Sequence, residues 1–346
     1  MMEAGSHGNL IFKVDTNVCQ TMSRTAPELH AIHGSDLFSS LHLSQQAPLI
    51  LNRRLTSETN LKSTLLLSPE KFEEYREIEQ LLLACLQTGD DRSALSCLNQ
   101  LEQRFGASNE RVLGLRGIYE EAVAEDQSSL ESCLRKYDTL LLENPANMPV
   151  LKRRVALLRA LSRPTDAIHS LIDLLKAAPT DAEAWCELSD LYKSQGLGLQ
   201  AIFCLEEALL IAPNAWNIHA RLGELQHLVA GSSDPEQSYH LLRGSIRSFS
   251  RSIELCDDYL RGFYGLASAS SALLKGEGYR TYLQDSSLSQ ADDSLSVVLL
   301  ERLSAFAKTR IEGIVKERSK GRIHSEYSQG ELIAAKELLD RLNVSD

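Results

Sequence analysis

The sequence predicts an all-α protein built from repeated pairs of helices. Leu, Ala, Ser and Glu dominate the composition, aromatic residues make up 6%, and β-branched runs bounded by turn residues are scarce, which favours helix over strand. The chain has 346 residues, more than one compact core normally holds, so it forms either two domains or an array whose units pack only on their neighbours. A recurring spacing of small residues and helix terminators favours the array.

The repeat is clearest in "AWCELSDLYKSQGLGLQAIFCLEEALLIAP", which covers residues 184–213. Its large, small and terminating residues match the 34-residue helix-turn-helix unit of tetratricopeptide proteins. Small residues allow the two helices to approach closely, large ones fill the space between helices, and proline ends the second helix. We expect Trp185 in particular to be a large buried aromatic. The residues assigned to packing within and between repeats are Trp185, Leu188, Tyr192, Ala201, Leu205, Ala208 and Pro213.

The same two markers recur along the chain. The small residue of the second helix is found at Ala94, Cys133, Ala167, Ala201 and Ser245. The terminators follow at Gly106, Pro145, Pro179, Pro213 and Asp257. Both series step by 39, 34, 34 and 44 residues, and the two longer steps contain the loop-like segments "VAEDQSS" and "AGSSDPEQS".

Three regions follow from this register. Residues 1–68 are rich in Ser, Thr, His, Gln and Asn and are expected to be a largely irregular extension, its later part packing along the first helices. Residues 69–275 are the repeat array, with about five to six units, and residues 276–346 are C-terminal helices with a loop insertion. The predicted fold is therefore an all-α tetratricopeptide-repeat superhelical solenoid with a C-terminal helical cap and a partly disordered N-terminal extension.

Charge and cysteine usage narrow the class of protein. A net charge of −11 and a pI near 5.4 argue against a nucleic-acid partner, which requires clustered Lys and Arg. Seven cysteines, odd in number and without a CxxC pair, fit reduced core thiols in a cytosolic protein. No uncharged run of 18 apolar residues occurs, so we expect membrane association to come only through partners.

No motif in the sequence supports catalysis, and we expect no enzyme activity, metal or cofactor. Nucleotide, hydrolase and metalloprotease signatures are absent from the sequence. His30 with His33, and Cys186 with Cys204, lack the further ligands that a zinc site requires. Glu206 and Glu207 are consecutive helical residues that point about 100° apart and so cannot act on one substrate.

The remaining candidate surface is the groove that the first helices of successive repeats line. The candidate partner-binding residues are Lys152, Arg159, Glu183, Cys186, Asp190, Lys193, Asn217, Glu224 and His227. Asp190 and Glu224 would repel a carboxylate, which disfavours capture of an acidic chain terminus. The basic stretches 152–163 and 302–322 meet acidic partner loops, lipid headgroups or only solvent. An ordinary solvated helix face is the alternative at each position.

Three segments carry a resemblance to a known family: "GDDRSALSCLNQLEQRFGASNERVLGLRGIYEEA", "YDTLLLENPANMPVLKRRVALLRA" and "EAWCELSDLYKSQGLGLQAIFCLEEALLIAPNAWNIHARLGELQHL". Over residues 70–275 the chain resembles subunit 2 of the endoplasmic reticulum membrane protein complex, in a fungal form. It departs from that family in its first 60 residues and beyond residue 280.

The resemblance implies a non-catalytic scaffold on the cytosolic side of the reticulum membrane. Such a subunit contacts a soluble companion subunit and the cytosolic parts of membrane subunits, and it supports insertion of transmembrane segments. The alternative is a soluble tetratricopeptide adaptor that binds peptide segments of a protein partner.

Overall fold

The computed structural model describes residues 37–60, 70–276, 296–319 and 329–344, and these residues form helices and short connections without strands. Within the described ranges there are fourteen helices. They are α1 (Leu37–Asn60), α2 (Glu70–Thr88), α3 (Asp91–Phe105), α4 (Glu110–Val123), α5 (Gln127–Glu143), α6 (Met148–Ala160), α7 (Pro164–Ala177), α8 (Ala182–Ser194), α9 (Gly198–Ile211), α10 (Trp216–Ala230), α11 (Pro235–Leu255), α12 (Leu260–Lys275), α13 (Val297–Ser319) and α14 (Gln329–Val344).

The chain divides into two compact units, with the boundary between Ala177 and Ala178. The first unit contains the helix pairs α2/α3, α4/α5 and α6/α7, and α1 packs against α2 and α3. The second contains α8/α9 and α10/α11, followed by α12, which packs on α13. In that unit α14 lies against α12 and α13 and closes their apolar side. The all-α tetratricopeptide fold class is thus confirmed.

The helices begin and end where local chemistry requires it. Asp or Asn side chains cap the N-termini of six helices by accepting hydrogen bonds from backbone N–H groups. These helices are α3, α4, α5, α6, α8 and α11. Gly106 ends α3 with a φ of 88°, a left-handed value that glycine adopts without a steric penalty. The helices α5, α7 and α9 each end two residues before the proline assigned as terminator, and α11 ends two residues before Asp257. The five predicted terminators are confirmed.

The small residue of each second helix lies at the helix crossing. Ala94, Ala167, Ala201 and Ser245 are fully buried, and Cys133 is 5% exposed. The hydroxyl of Ser245 donates to the carbonyl oxygen of Gly223 at 2.7 Å, so burying it leaves no unsatisfied polar group. A larger side chain at any of these positions would push the paired helices apart.

In the second unit the ring of Phe249 fills the space that two glycines leave. Phe249 on α11 is 1% exposed and lies against Gly223 of α10 and Gly265 of α12. A Cβ atom at Gly223 would stand 3.0 Å from the ring, and one at Gly265 would overlap it. The Phe249 ring therefore packs three consecutive helices together, and it fits because both neighbouring positions are glycine.

One part of the expected N-terminal extension is helical, which its composition did not predict. Residues Leu37–Asn60 form α1, with Ala47 and Leu51 buried in the core shared with α2 and α3. Pro48 lies inside this helix, and the Ser-rich and Gln-rich sequence around it had predicted irregular chain. The apolar side chains that face α2 and α3 favour the helix despite that proline. The rest of residues 1–68 lies outside the described residues, as do residues 277–295, which contain most of the predicted loop insertion.

Replacing Gly265 by Ala should test the Phe249 contact. We expect Gly265→Ala to lower the free energy of unfolding by about 1–3 kcal/mol, because the fully buried ring has no room to yield. Gly313→Ala is the matched control, since Gly313 lies inside α13 with open space around its Cα, and it should stabilise the protein by about 0.5–1 kcal/mol. Urea denaturation followed by circular dichroism measures both. Equal effects of the two substitutions would contradict the packing described here.

Candidate partner-binding groove

The structure places the candidate groove residues in three different environments. Glu183, Asp190 and Lys193 on α8 are exposed, as are Lys152 and Arg159 on α6. Asn217, Glu224 and His227 on α10 are half-buried. Cys186 is only 3% exposed and belongs to the core between α8, α9 and α10. The cysteine side chain is therefore not presented to a partner, because its position in the repeat faces the next helix pair.

The two acidic groove residues of the second unit are held in ion pairs with arginines of the following repeat. Asp190 on α8 pairs with Arg221 on α10, and Glu224 on α10 pairs with Arg261 on α12. Arg221 also approaches the backbone carbonyl oxygen of Cys186 at 3.5 Å. Each pair joins the first helix of one repeat to the first helix of the next, so these carboxylates are already occupied.

The first unit contains the same arrangement. Glu79 on α2 pairs with Arg111 on α4 at 2.5 Å, and Glu121 on α4 pairs with Arg153 on α6. Across the two units the partners are separated by 31, 32, 32 and 37 residues, close to one repeat length. We call these four pairs the inter-repeat ion pairs. In each of them the carboxylate comes from the earlier repeat and the guanidinium from the later one.

The pair of Glu121 and Arg153 is the most buried of the four. Its side chains are 9% and 22% exposed, whereas Arg111 is 67% exposed. Tyr137 on α5 donates its hydroxyl to Glu121 Oε1 at 2.5 Å, and the Arg153 Nε donates to the same oxygen at 3.1 Å. Gly117 on α4 permits this arrangement, because a Cβ there would overlap the Tyr137 ring. The charge of Glu121 is therefore satisfied from two neighbouring helices.

The surroundings shift the pKa values of both donors. Burial raises the pKa of Tyr137 far above its ordinary value, and the neighbouring charge of Glu121 raises it further. Burial alone would lower the pKa of Arg153, but the hydrogen bonds and charge of Glu121 outweigh it and the net direction is upward. Both groups thus stay protonated and act as fixed donors, which suits a structural role and not proton transfer.

The basic stretch at 152–163 is largely neutralised within the fold. Arg153 is paired with Glu121, Arg154 donates to Asp138 at 2.8 Å, and Arg163 pairs with Asp166 at 2.7 Å. These pairs were not predicted from the sequence. A charge-complementarity search at intervals of about one repeat would have indicated the inter-repeat ones, since Glu121 and Arg153 stand 32 residues apart.

His227 is a groove candidate whose pKa is perturbed. Its ring lies half-buried on α10, with Nε2 at 3.5 Å from the hydroxyl of Ser268. Burial lowers the pKa of the imidazole. Within the described part of the chain its Nδ1 and the Oδ1 of Asn217 have no hydrogen-bond partner.

The residues assigned to repeat packing are found mostly in the core. Leu188, Ala201, Leu205 and Ala208 are buried. Tyr192 is half-buried, and Pro213 is an exposed residue directly after α9. Trp185 is also only half-buried, which corrects the expectation of a fully enclosed aromatic. Its indole N–H donates to the carbonyl oxygen of Pro179 at 2.9 Å, so one edge of the ring reaches the protein surface.

The described residues contain no cluster of the side chains that bind metal ions. In the ranges 37–60, 70–276, 296–319 and 329–344, no group of three or more His, Cys, Asp or Glu side chains could bind a metal ion. The six cysteines in these ranges are free thiols, and five of them are buried, as the sequence predicted. His30 and His33 lie outside the described residues. Among the helices described, none is both long and apolar enough to cross a bilayer.

The helix pairs and their packing define the class of repeat protein to which this chain belongs. Helix pairs with a small residue at the crossing, a terminator within two residues of the end of the second helix, and packing of successive first helices within each unit make this a tetratricopeptide-repeat protein. Residues 109–241 match the family model described as the EMC2 TPR-like repeat domain. The predicted resemblance to subunit 2 of the endoplasmic reticulum membrane protein complex is therefore confirmed.

The chain is also similar to named relatives and to a solved structure. The chain is 34% identical over 197 residues to the TPR repeat protein oca3 of Schizosaccharomyces pombe, covering 57% of this chain and 66% of that protein. It is 32% identical to the ER membrane protein complex subunit 2-A of Xenopus laevis, covering 56% of this chain and 61% of the relative. The chain thus spans slightly less than two thirds of the length of these relatives. A solved part of a TPR repeat-containing protein from Cytophaga hutchinsonii has a TM-score of 0.49 and 10% identity, covering 87% of this chain and 99% of that one.

Removing Arg153 should be far more costly than removing an exposed cation. Arg153→Met leaves the buried Glu121 carboxylate without its ion partner, and we expect a loss of about 3–5 kcal/mol in the free energy of unfolding. The control is Lys176→Met, because the Lys176 side chain is 70% exposed and its pair with Asp173 should contribute less than about 0.5 kcal/mol. Chemical denaturation of both variants measures the difference. A loss for Arg153→Met no larger than that of the control would show that Glu121 is solvated.

The lowered pKa of His227 predicts that the free energy of unfolding decreases as the pH decreases. The unfolded imidazole, with a pKa near its ordinary value of 6.5, takes up a proton at a higher pH than the folded one. The contribution of the neutral imidazole to the free energy of unfolding is fully present above the unfolded pKa. It is lost as the pH falls from that value toward the lower pKa of the folded state. Urea midpoints measured between about pH 5 and pH 8 should decline less steeply for His227→Gln than for the parent. A decline in the His227 variant as steep as that of the parent, or steeper, would refute the assignment.

Proposed function

We propose that the chain is a non-catalytic scaffold subunit of an endoplasmic reticulum membrane protein complex, placed on the cytoplasmic face, where it supports insertion of transmembrane segments. The observation that carries the proposal is the match of residues 109–241 to the repeat domain of that complex's subunit 2. Its partners would be a soluble companion subunit and the cytosolic parts of membrane subunits. Membrane association would come through these partners.

The geometry supports a scaffold because the repeats are tied to one another within each unit. The inter-repeat ion pairs join successive first helices, and the cores between pairs are filled by buried Leu, Ala and Phe side chains. A stack of this kind holds its surface residues at fixed separations. Partners that bind different repeats of one unit would then be held at a fixed distance from each other.

The alternative, a soluble adaptor that captures peptides through groove charges, has less support. Asp190 and Glu224 are two of the groove candidates, and both carboxylates are paired with arginines of the next repeat. Displacing those arginines to bind a peptide would break contacts that hold the stack together. Lys152, Arg159, Glu183 and Lys193 are exposed, and the scaffold proposal takes them as contact residues.

Recovery of the chain from its native membranes tests the proposal. The full-length chain, tagged and expressed at its natural level, is purified after mild detergent solubilisation, and the copurifying proteins are quantified by mass spectrometry. We expect integral membrane proteins in near-equimolar amount, and release of the chain itself when membranes are washed at alkaline pH. An unrelated tagged tetratricopeptide protein gives the background. Purification of the chain without any integral membrane protein would overturn the proposal.

A further inference from the structure

The outer face of α9 is apolar although it is exposed. Leu199 and Phe203 are each 54% exposed, and Leu210 is 76% exposed. These residues stand at spacings of 4 and 7 along the helix, so their side chains project from one side. The stripe is about 16 Å long at 1.5 Å per residue, which corresponds to three helical turns.

The opposite face of α9 is already used by the core. Ala201, Leu205 and Ala208 are fully buried against α8 and α10. The helix is thus apolar on both sides, a composition that is typical of a helix covered on both sides and not of one facing water. In the described chain only its inner side is covered.

Equivalent positions in the neighbouring repeats are polar, so the stripe is not a general property of this fold. In the register set by Ala201, the positions of Leu199, Phe203 and Leu210 are occupied in α7 by Thr165, His169 and Lys176. In α11 the same positions are Arg243, Arg247 and Glu254. Of the five second helices only α9 is apolar at all three positions, although Leu142 of α5, at the position of Leu210, is also apolar and 84% exposed.

The stripe has a fixed shape on one side. The ring of Phe203 meets the indole of Trp185 edge to face, with the ring centroids 6.2 Å apart. The Trp185 indole is itself anchored to the Pro179 carbonyl oxygen. Phe203 is therefore held in place before any partner arrives, which lowers the entropy lost on binding.

A negative charge lies inside the stripe. Glu206 projects from the same side as Phe203 and Leu210, and Glu207 follows it. Among the described residues neither carboxylate forms a hydrogen bond or an ion pair. Burial, together with the charge of Glu207, raises the pKa of Glu206, so its ionised form is disfavoured where it stands. A cation placed opposite Glu206 would relieve this.

That charge distinguishes between the classes of occupant. A second copy of the chain, packed about a two-fold axis, would bring the two Glu206 carboxylates toward each other. An anionic lipid surface would be repelled by Glu206 and Glu207. An amphipathic helix with a lysine or arginine beside its apolar side chains fits both the stripe and its charge.

We propose that the outer face of α9, formed by Leu199, Phe203, Glu206 and Leu210, docks an amphipathic helix of another protein that presents apolar side chains and a basic residue opposite Glu206. The proposal rests on the scaffold function and names the chemistry of one of its partners. The groove side of the repeats is not involved, so both surfaces can be occupied at once.

Site-specific photocrosslinking on the full chain in its native membranes tests this. Benzoylphenylalanine is placed at position 203 and, as the matched control, at position 169, which is the equivalent exposed position of α7. We expect a crosslink from position 203 to another protein at least tenfold stronger than from position 169. Mass spectrometry of the crosslinked peptide should identify a segment with helical apolar periodicity and a Lys or Arg within one turn.

The charge of Glu206 is tested in the same chain. Glu206→Lys should lower the crosslinking yield at position 203 by about tenfold, whereas Glu254→Lys on the outer side of α11 should leave it unchanged. Thermal melts of each variant show whether it is folded, and since both glutamates are exposed we expect unchanged midpoints. The crosslinked segment, synthesised as a peptide, should bind the parent at least tenfold more tightly than Glu206→Lys.

The results separate this inference from the scaffold proposal. If membrane subunits copurify with the chain but position 203 gives no crosslink, or one to a second copy, to lipid or to the chain itself, the docking surface is refuted and the scaffold stands. A yield unaffected by Glu206→Lys refutes the charge contact. If no membrane subunit copurifies while position 203 still crosslinks to a basic amphipathic helix, the scaffold is refuted and the surface stands.

Discussion

The close crossing of paired helices is the constraint on which the rest of the structure depends. It is set by one small residue in each second helix, from Ala94 to Ser245, because only a small side chain allows the backbones to approach. Once the crossing is fixed, the large side chains can meet across the pair. The terminator that follows then sets the length of the second helix and brings the chain back to begin the next pair.

A second set of contacts acts between pairs. Apolar packing holds each pair against its neighbour. By itself it does not fix the axial position of one first helix relative to the next. The inter-repeat ion pairs help to fix this position because hydrogen bonds are directional. Glu121, for example, accepts hydrogen bonds from both Arg153 and Tyr137. A buried carboxylate with two donors tolerates little displacement, because losing either donor leaves a buried oxygen without one of its hydrogen bonds.

The fold could be predicted from the sequence because its markers are local. A proline, a small residue and a run of large apolar residues each act on their own helix pair, so spacing alone reveals them. The surface could not be predicted in the same way. Asp190 has the appearance of a free groove carboxylate, and only the structure shows Arg221 beside it. Likewise α1 depends on apolar contacts with α2 and α3 that its own composition does not reveal. Trp185 is half-buried, and its indole N–H donates to the carbonyl oxygen of Pro179.

The inter-repeat ion pairs also bear on how such a chain can lengthen. In the second unit α10 carries both halves of the pairing, Arg221 toward the preceding first helix and Glu224 toward the following one. A tandem duplication of α10 and α11 would therefore supply a new first helix that already has a guanidinium for its predecessor and a carboxylate for its successor. Growth by whole repeats then needs no compensating mutation at the new junction, whereas an insertion of half a repeat would leave one charge of each sign without a counterpart.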